Sequence, residues 1–277
     1  MTNSPWQHRR ASGVSDDIDF DIRGEDLQFV EIELDPGESA VAEAGAKVWK
    51  DASIGMTNVF GDGSAADEQG GFMGKLLGAG KRLVTGESLF TTVFTHNGQG
   101  KARVAFAAPT PGTILPLKLD EVGGTLICQK DACLAAAKGV QVGIEFQRKV
   151  MTGLFGGEGF IMQRLDGDGW VFVQMGGTLI ERELGPGEEL HVDTGCVAAY
   201  TSTVDMDVES VGSVKSMFLA GEGVFFARLR GPGKVWIQSL PFSRLAGRMM
   251  AAAGGTGGNR GEGSALGGLG DIIMGND

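Results

Sequence analysis

Gly86-Glu87-Ser88-Leu89-Phe90, Gly157-Glu158-Gly159-Phe160-Ile161 and Gly221-Glu222-Gly223-Val224-Phe225 are three versions of one phrase, and their reading decides the fold. Each leads into an apolar-rich run, a glycine turn and a second run. The turns are Asn97-Gly98-Gln99-Gly100, Asp166-Gly167-Asp168-Gly169 and Arg230-Gly231-Pro232-Gly233, and the second runs are Ala102 to Phe106, Trp170 to Val173 and Val235 to Ile237. Runs of strand-forming residues split by turn glycines predict a β-hairpin in each copy. Recurrence of one pattern at three places reads as an internal repeat.

A second phrase precedes the first. Glu31-Ile32-Glu33-Leu34-Asp35-Pro36-Gly37-Glu38 is echoed by Glu181-Arg182-Glu183-Leu184-Gly185-Pro186-Gly187-Glu188, and each leads to a glycine at the same distance, Gly45 and Gly195. Pro-Gly suits the middle of a type II turn, because proline presets φ and glycine accepts a positive φ. A looser middle copy runs from Leu117-Lys118-Leu119-Asp120 to Cys133-Leu134, with Glu121-Val122-Gly123-Gly124 at the turn. Val30, Ile32 and Leu34 alternate with Phe29, Glu31 and Glu33, which gives a strand one buried and one wet face. The expected fold is therefore all-β, a sandwich- or barrel-like domain in which three repeats pack about a pseudo-threefold axis around one interior.

The expected boundaries are a mobile N-terminus over residues 1–15, one β domain over 16–245 and a glycine-rich flexible tail over 246–277. From Leu34 to Gly86 is 52 residues, against 38 from Leu119 to Gly157 and 37 from Leu184 to Gly221, so the first repeat holds an insertion over about 61–85. Within it, Phe72, Leu76, Ala79 and Leu83 fit one face of a short helix, with Lys75, Lys81 and Arg82 elsewhere and Leu77 adding apolar surface. Phe72, Lys75, Leu76, Leu77, Lys81, Arg82 and Leu83 form the candidate partner or membrane surface, a basic amphipathic segment of the kind that meets anionic lipid or another protein.

Composition narrows the function. The chain has 277 residues, 47 of them glycine, and a net charge of -11, which repels phosphate backbones and argues against nucleic acid as a partner. Cys128, Cys133 and Cys196 form no CxxC pair and no even framework, as in reduced thiols of a cytoplasmic protein. No signal peptide or membrane-spanning run is evident in the sequence. Arg82 follows Gly80-Lys81 where a phosphate-binding loop needs Ser or Thr, and Lys75 stands where its first glycine belongs.

His8, His96 and His191 are the histidines, and even His191 near Cys196 falls short of the three or so ligands a zinc site needs. Asp166-Gly167-Asp168-Gly169 resembles a calcium-loop fragment, yet its equivalents lack the acids, so it reads as a turn. Glu87, Glu158 and Glu222 recur at equivalent points and read as structural carboxylates, with Arg164 and Arg228 as candidate partners of Glu158 and Glu222. Three such carboxylates lining an axial site is the sharper alternative. No catalytic set and no cofactor motif is recognisable.

At the repeated Gly-Glu phrases, and at the glycine-rich insertion running into Gly86-Glu87-Ser88-Leu89-Phe90, the chain resembles the family of the mitochondrial biogenesis protein named for altered inheritance of mitochondria. The likeness covers about Asp16 to Leu245. It implies a fold similar to the tryptophan RNA-binding attenuation protein, three structural repeats in one chain and self-association. It also implies a link to inner-membrane organisation, and no catalytic residue. RNA binding by the fold relative does not travel with the fold. The resulting expectation is a non-enzymatic scaffold or assembly factor acting through oligomer surfaces, a trimer among the forms allowed, cytoplasmic with peripheral contact at the inner membrane. A ligand- or RNA-binding module is the alternative, and an enzyme whose residues converge only in space is the third.

Overall fold

Short runs rich in β-branched, aromatic and other apolar residues form nineteen strands among the described residues of the computed structural model, which are 15–60, 90–148, 160–210 and 225–253. Strand β1 (Asp19–Arg23) precedes three sets of six. The first is β2 (Phe29–Leu34), β3 (Ser39–Ala42), β4 (Lys47–Lys50), β5 (Ile54–Phe60), β6 (Phe90–His96) and β7 (Ala102–Ala107). The second is β8 (Gly112–Lys118), β9 (Thr125–Gln129), β10 (Cys133–Ala137), β11 (Gln141–Arg148), β12 (Phe160–Asp166) and β13 (Trp170–Gly176). The third is β14 (Leu179–Leu184), β15 (Glu189–Asp193), β16 (Val197–Thr201), β17 (Asp205–Ser210), β18 (Phe225–Arg230) and β19 (Gly233–Gln238).

Each set pairs in the same way. Its first and third strands flank its sixth, as β2 and β4 flank β7, β8 and β10 flank β13, and β14 and β16 flank β19. Its second and fourth strands flank its fifth, as β3 and β5 flank β6, β9 and β11 flank β12, and β15 and β17 flank β18. Every pairing is antiparallel, and the third strand carries an irregularity at one equivalent place: Lys47/Trp49, Cys133/Ala135 and Val197/Ala199. The three-repeat, all-β reading holds at the level of register.

The predicted hairpins are not hairpins. β6 and β7 lie in different sheets, as do β12 and β13, and β18 and β19. The glycine turns are arches that carry the chain from one sheet to another. Strand propensity and turn glycines specify a reversal of direction, but not whether the two arms hydrogen-bond to each other. Here both arms are inner strands, each with a partner on either side. The consecutive strands that pair with each other among the described residues are β1 with β2, β5 with β6, β11 with β12 and β17 with β18.

The paired turns follow the predicted chemistry. Gly37 and Gly187 hold φ of +92° and +76°, and Glu38 N and Glu188 N donate to Asp35 O and Gly185 O at 3.0 Å each. The glutamate side chain caps its own turn: Glu38 Oε2 accepts from Asp35 N at 2.8 Å, and Glu188 Oε2 from Gly185 N at 2.9 Å. Each turn docks on the arch of its repeat, through Gly37 N to His96 O at 2.9 Å and Gly187 N to Gly231 O at 3.1 Å. In the middle repeat a 3-10 turn over Leu119–Val122, closed by Gly123 at φ +89°, replaces Pro-Gly. Gly45 and Gly195 occupy equivalent 3-10 turns, Ala44–Ala46 and Thr194–Cys196.

Repeats join by a further pairing. β3 of the first repeat pairs with β10 of the second, and β9 of the second pairs with β16 of the third, fusing half of each repeat into a six-stranded sheet with half of the next. The interior is divided accordingly. One cluster gathers Val30, Ile32, Leu34, Phe94 and Phe106 of the first repeat, completed by Ala135 and Phe172 of the second. Another gathers Leu126, Leu165, Val171 and Val173 of the second, completed by Ala199 and Trp236 of the third. The last gathers Val192, Val208, Leu229 and Val235, with Ile127, Phe160 and Met162 from the second repeat. Three linked cores therefore stand where a single interior was expected. Phe94 and Phe106 meet edge to face at 5.0 Å, and Phe20 on β1 meets Trp170 and Phe172 at 4.9 Å each, which adds quadrupole attraction to burial.

A glutamine pins one junction. Gln238 Oε1 accepts from Gly176 N at 2.9 Å, and its Nε2 donates to Gln129 Oε1 and Gly195 O at 2.9 Å each. Gln174 holds the equivalent place in the second repeat and donates to Thr110 Oγ1, while the first repeat has Ala107 there.

Residues 1–243 form one compact unit, and residues 244–277 a second. Helix α1 (Phe242–Ala253) takes in residues 246–253 of the segment assigned to a flexible tail, because Met249-Met250-Ala251-Ala252-Ala253 precedes the glycine run with good helix formers. Ser15, assigned to the mobile terminus, donates its backbone N–H to Asp168 Oδ1 at 2.9 Å.

Candidate interaction surface

The outer face of β1, β2 and β7 shows what ionisable side chains do here. Glu33 on β2 receives Lys101 Nζ at 2.6 Å and Arg103 Nη2 at 2.7 Å, and Glu31 receives Arg103 Nη1 at 2.9 Å. Asp19 on β1 takes Lys101 Nζ at 3.0 Å. The hydrogen bonds from Lys101 and then Arg103 hold the Glu33 carboxyl below its ordinary range. In the third repeat Glu181 receives the Trp236 indole N–H at 2.8 Å and Lys234 Nζ at 3.1 Å, and that indole bond lowers its pKa. These carboxylates bind strands together across the sheet.

The acids and bases singled out in the sequence are engaged similarly. Asp166 binds Arg164 Nε at 2.8 Å and Thr125 Oγ1 at 2.6 Å, whereas Asp168 binds Ser15. The two carboxylates of the turn thus serve different partners, as befits a turn. Arg164 also reaches Glu145 at 3.4 Å, and Arg228 pairs with Glu209 at 3.1 Å and lies within 4 Å of Glu189 and Asp207. Those are their ionic partners among the described residues; Glu87, Glu158 and Glu222 lie outside the described residues. So do His8 and the candidate surface Phe72, Lys75, Leu76, Leu77, Lys81, Arg82 and Leu83.

His96 is buried within the first arch, its Nε2 2.9 Å from Gly100 O and its Nδ1 accepting from Gly98 N at 3.3 Å, so it shapes the turn. His191 is exposed on β15 while Cys196 is buried. Among the described residues no group of three His, Cys, Asp or Glu side chains could hold a metal ion. Cys128 and Cys133 interact across the turn between β9 and β10, and this contact, with burial, pushes the Cys128 thiol up. A cavity of about 310 Å³ opens beside Arg164, Tyr200, Thr203 and Asp205. Arg164 is committed to Asp166 and Glu145, and Thr203 lies 3.1 Å from Thr201 Oγ1.

The surface that departs from the repeat is at two strand edges. β10 and β16, the third strands of their repeats, are nearly wholly buried, with Leu134 and Ala198 at 4% and 0% exposure. The equivalent strand β4 ends its sheet, and there Val48 is 55% and Trp49 38% exposed. At the other end of the array β15, a second strand, also ends its sheet, with Glu189 and His191 exposed where β9 is fully buried. Hydropathy read one strand at a time missed these edges. In the register of the three copies Lys47-Val48-Trp49-Lys50 stands against Cys133-Leu134-Ala135-Ala136 and Val197-Ala198-Ala199-Tyr200, so β4 differs from its equivalents in polarity.

Fold and surface define a three-repeat, all-β protein of antiparallel sheets. Residues 20–240 match the mitochondrial biogenesis AIM24 family, and the chain belongs to it. It is 33% identical over 229 residues to an uncharacterised protein of Streptococcus pyogenes serotype M6, a match spanning 80% of this chain and 86% of that one. A crystal structure of a Streptococcus pyogenes protein, 26% identical, superposes with a TM-score of 0.67 over 85% of this chain and 99% of its own. The resemblance expected from the Gly-Glu phrases is thereby shown. Among the described residues no helix is long and apolar enough to cross a membrane.

Proposed function

We propose that the protein is a scaffold or assembly factor that works through contact surfaces rather than through a reaction, from a cytoplasmic position with peripheral contact at the inner membrane. The observation that carries this reading is the pair of edge strands β4 and β15, each hydrogen-bonded on one side only, where the equivalent strands β10 and β16, and β3 and β9, have a neighbour on both sides. A sheet edge with bare N–H and C=O groups and exposed apolar side chains is a template for another strand. Membrane contact is assigned to residues 70–84, where Lys75, Lys81 and Arg82 stand among Phe72, Leu76, Leu77 and Leu83.

Light scattering on the purified chain and sedimentation with anionic vesicles test the reading. The intact chain is expected to exceed the mass of one copy and to sediment with anionic but not neutral vesicles. Deleting residues 70–84 is expected to abolish sedimentation and leave the mass unchanged. A single-copy mass together with no vesicle binding would end the scaffold reading.

A further inference from the structure

Twice within this chain the second strand of one repeat pairs with the third strand of the next. β3 sets Ala42 opposite Ala135 and Val41 opposite Ala136; β9 sets Cys128 opposite Ala199 and Ile127 opposite Tyr200. A third junction of this kind would join β15 to a strand like β4. Both are present, at opposite ends of the array, and neither has this partner among the described strands. We infer that β15 of one copy pairs antiparallel with β4 of a second copy of this chain, in the register of the two internal junctions. This inference names the partner and geometry of the scaffold reading and rests on it.

The aromatic residues support it first. At each internal junction the incoming repeat places one aromatic and one alanine side by side: Phe172 opposite Ala135, and Trp236 opposite Ala199. Phe172 and Trp236 are at 0% and 1% exposure, buried in the core cluster of the repeat before. The first repeat has the same pair with the bulk exchanged, Trp49 opposite Ala105. It carries the plug for a preceding repeat, and no repeat precedes it among the described residues. Correspondingly, the third cluster receives no side chain from a following repeat.

Charge supports it second. β4 is basic, Lys47-Val48-Trp49-Lys50, and β15 is acidic, Glu189-Leu190-His191-Val192-Asp193. The internal register sets Val192 opposite Trp49 and His191 opposite Lys50. Glu189 and Asp193 then lie diagonally on either side of Lys50 on one face, within reach of a long side chain. Closure within one chain is disfavoured, because Trp49 and Val48 on β4 and Glu189 and His191 on β15 remain exposed. A contact between unlike surfaces builds rings where its rotation closes and filaments where it does not.

Complementary charge swaps test the inference. Chain X carries K47E/K50E, which makes both of its edges acidic; chain Y carries E189K/H191K, which makes both basic. X alone and Y alone are expected to fall to the mass of one copy by light scattering. An equal mixture is expected to reassemble, since the acidic β4 of X meets the basic β15 of Y, and the native edges left over also complement. Far-ultraviolet circular dichroism confirms that each chain is folded. Retention of the native mass by X or Y alone, or no reassembly on mixing, overturns the edge pairing. If X keeps the native assembly, the scaffold reading stands and only its geometry falls; if the native chain itself is a single copy and binds no vesicle, the scaffold reading falls as well. In a K50C/H191C chain, oxidation is expected to give a ladder of linked chains on a non-reducing gel, whereas a single-chain product would overturn the inference.

Discussion

Replacing Gln238 by leucine is expected to be among the most damaging polar substitutions in the protein. The side chain is 6% exposed and serves three partners: Gly176 N–H, Gly195 C=O and Gln129 Oε1. Leucine fills much of the same space and leaves all three without their bonds. A buried polar group left unsatisfied costs about 1–3 kcal/mol, so the low end applied to each partner gives about 3 kcal/mol. For a protein of this size about 1 kcal/mol shifts Tm by about 2–4 °C, which predicts a fall of about 6–12 °C. Gln174→Leu is the control, since among the described residues that side chain donates to Thr110 Oγ1 alone, and its loss should cost about 1 kcal/mol. Urea unfolding followed by circular dichroism measures both. A double-mutant cycle with Gln129→Leu should return a coupling energy, because the two amides share a bond. The junction argument is refuted if Gln238→Leu costs no more than Gln174→Leu.

Three further outcomes are expected. Gly37→Ala and Gly187→Ala should each cost about 1–2 kcal/mol in urea unfolding, the penalty of a left-handed L-residue; no atom lies within 4 Å of the added Cβ at either site, so the two losses should agree. Acid should destabilise the fold as pH drops below the ordinary glutamate value of 4.5, because Glu33 and Glu181 have lowered pKa values when folded. Their contribution is present above the unfolded pKa and lost as pH falls through the folded one, so E33Q and E181Q should each flatten the acid limb of a stability–pH curve. Glu38, raised by burial, works in the opposite direction and would steepen that limb on replacement by Gln. Cys128, fully buried with its thiol pushed up by Cys133 and by burial, should resist alkylation in the native protein and react once urea unfolds it, as peptide mass mapping would show.

Local rules made the repeat legible. The Pro36-Gly37-Glu38 and Pro186-Gly187-Glu188 turns, the alternation of Val30, Ile32 and Leu34, and the three Gly-Glu phrases determined an all-β chain of three related units and its family. Turn chemistry and side-chain alternation are short-range properties, settled within a few residues. Pairing is not. Whether β6 bonds to β7 or to β3 depends on which faces must be buried against residues far along the chain, so strong arms and a good glycine turn have the local signature of a hairpin where the fold builds an arch.

The same limit hid the two edges. Lys47-Val48-Trp49-Lys50 reads by itself as an unremarkable half-wet strand, and Glu189-Leu190-His191-Val192-Asp193 as another. The sequence determined their opposite charge and the aromatic at Trp49. Only the tertiary structure decided that one belongs to the class of strand buried at β10 and β16, and the other to the class buried at β9, because burial is a property of what lies alongside.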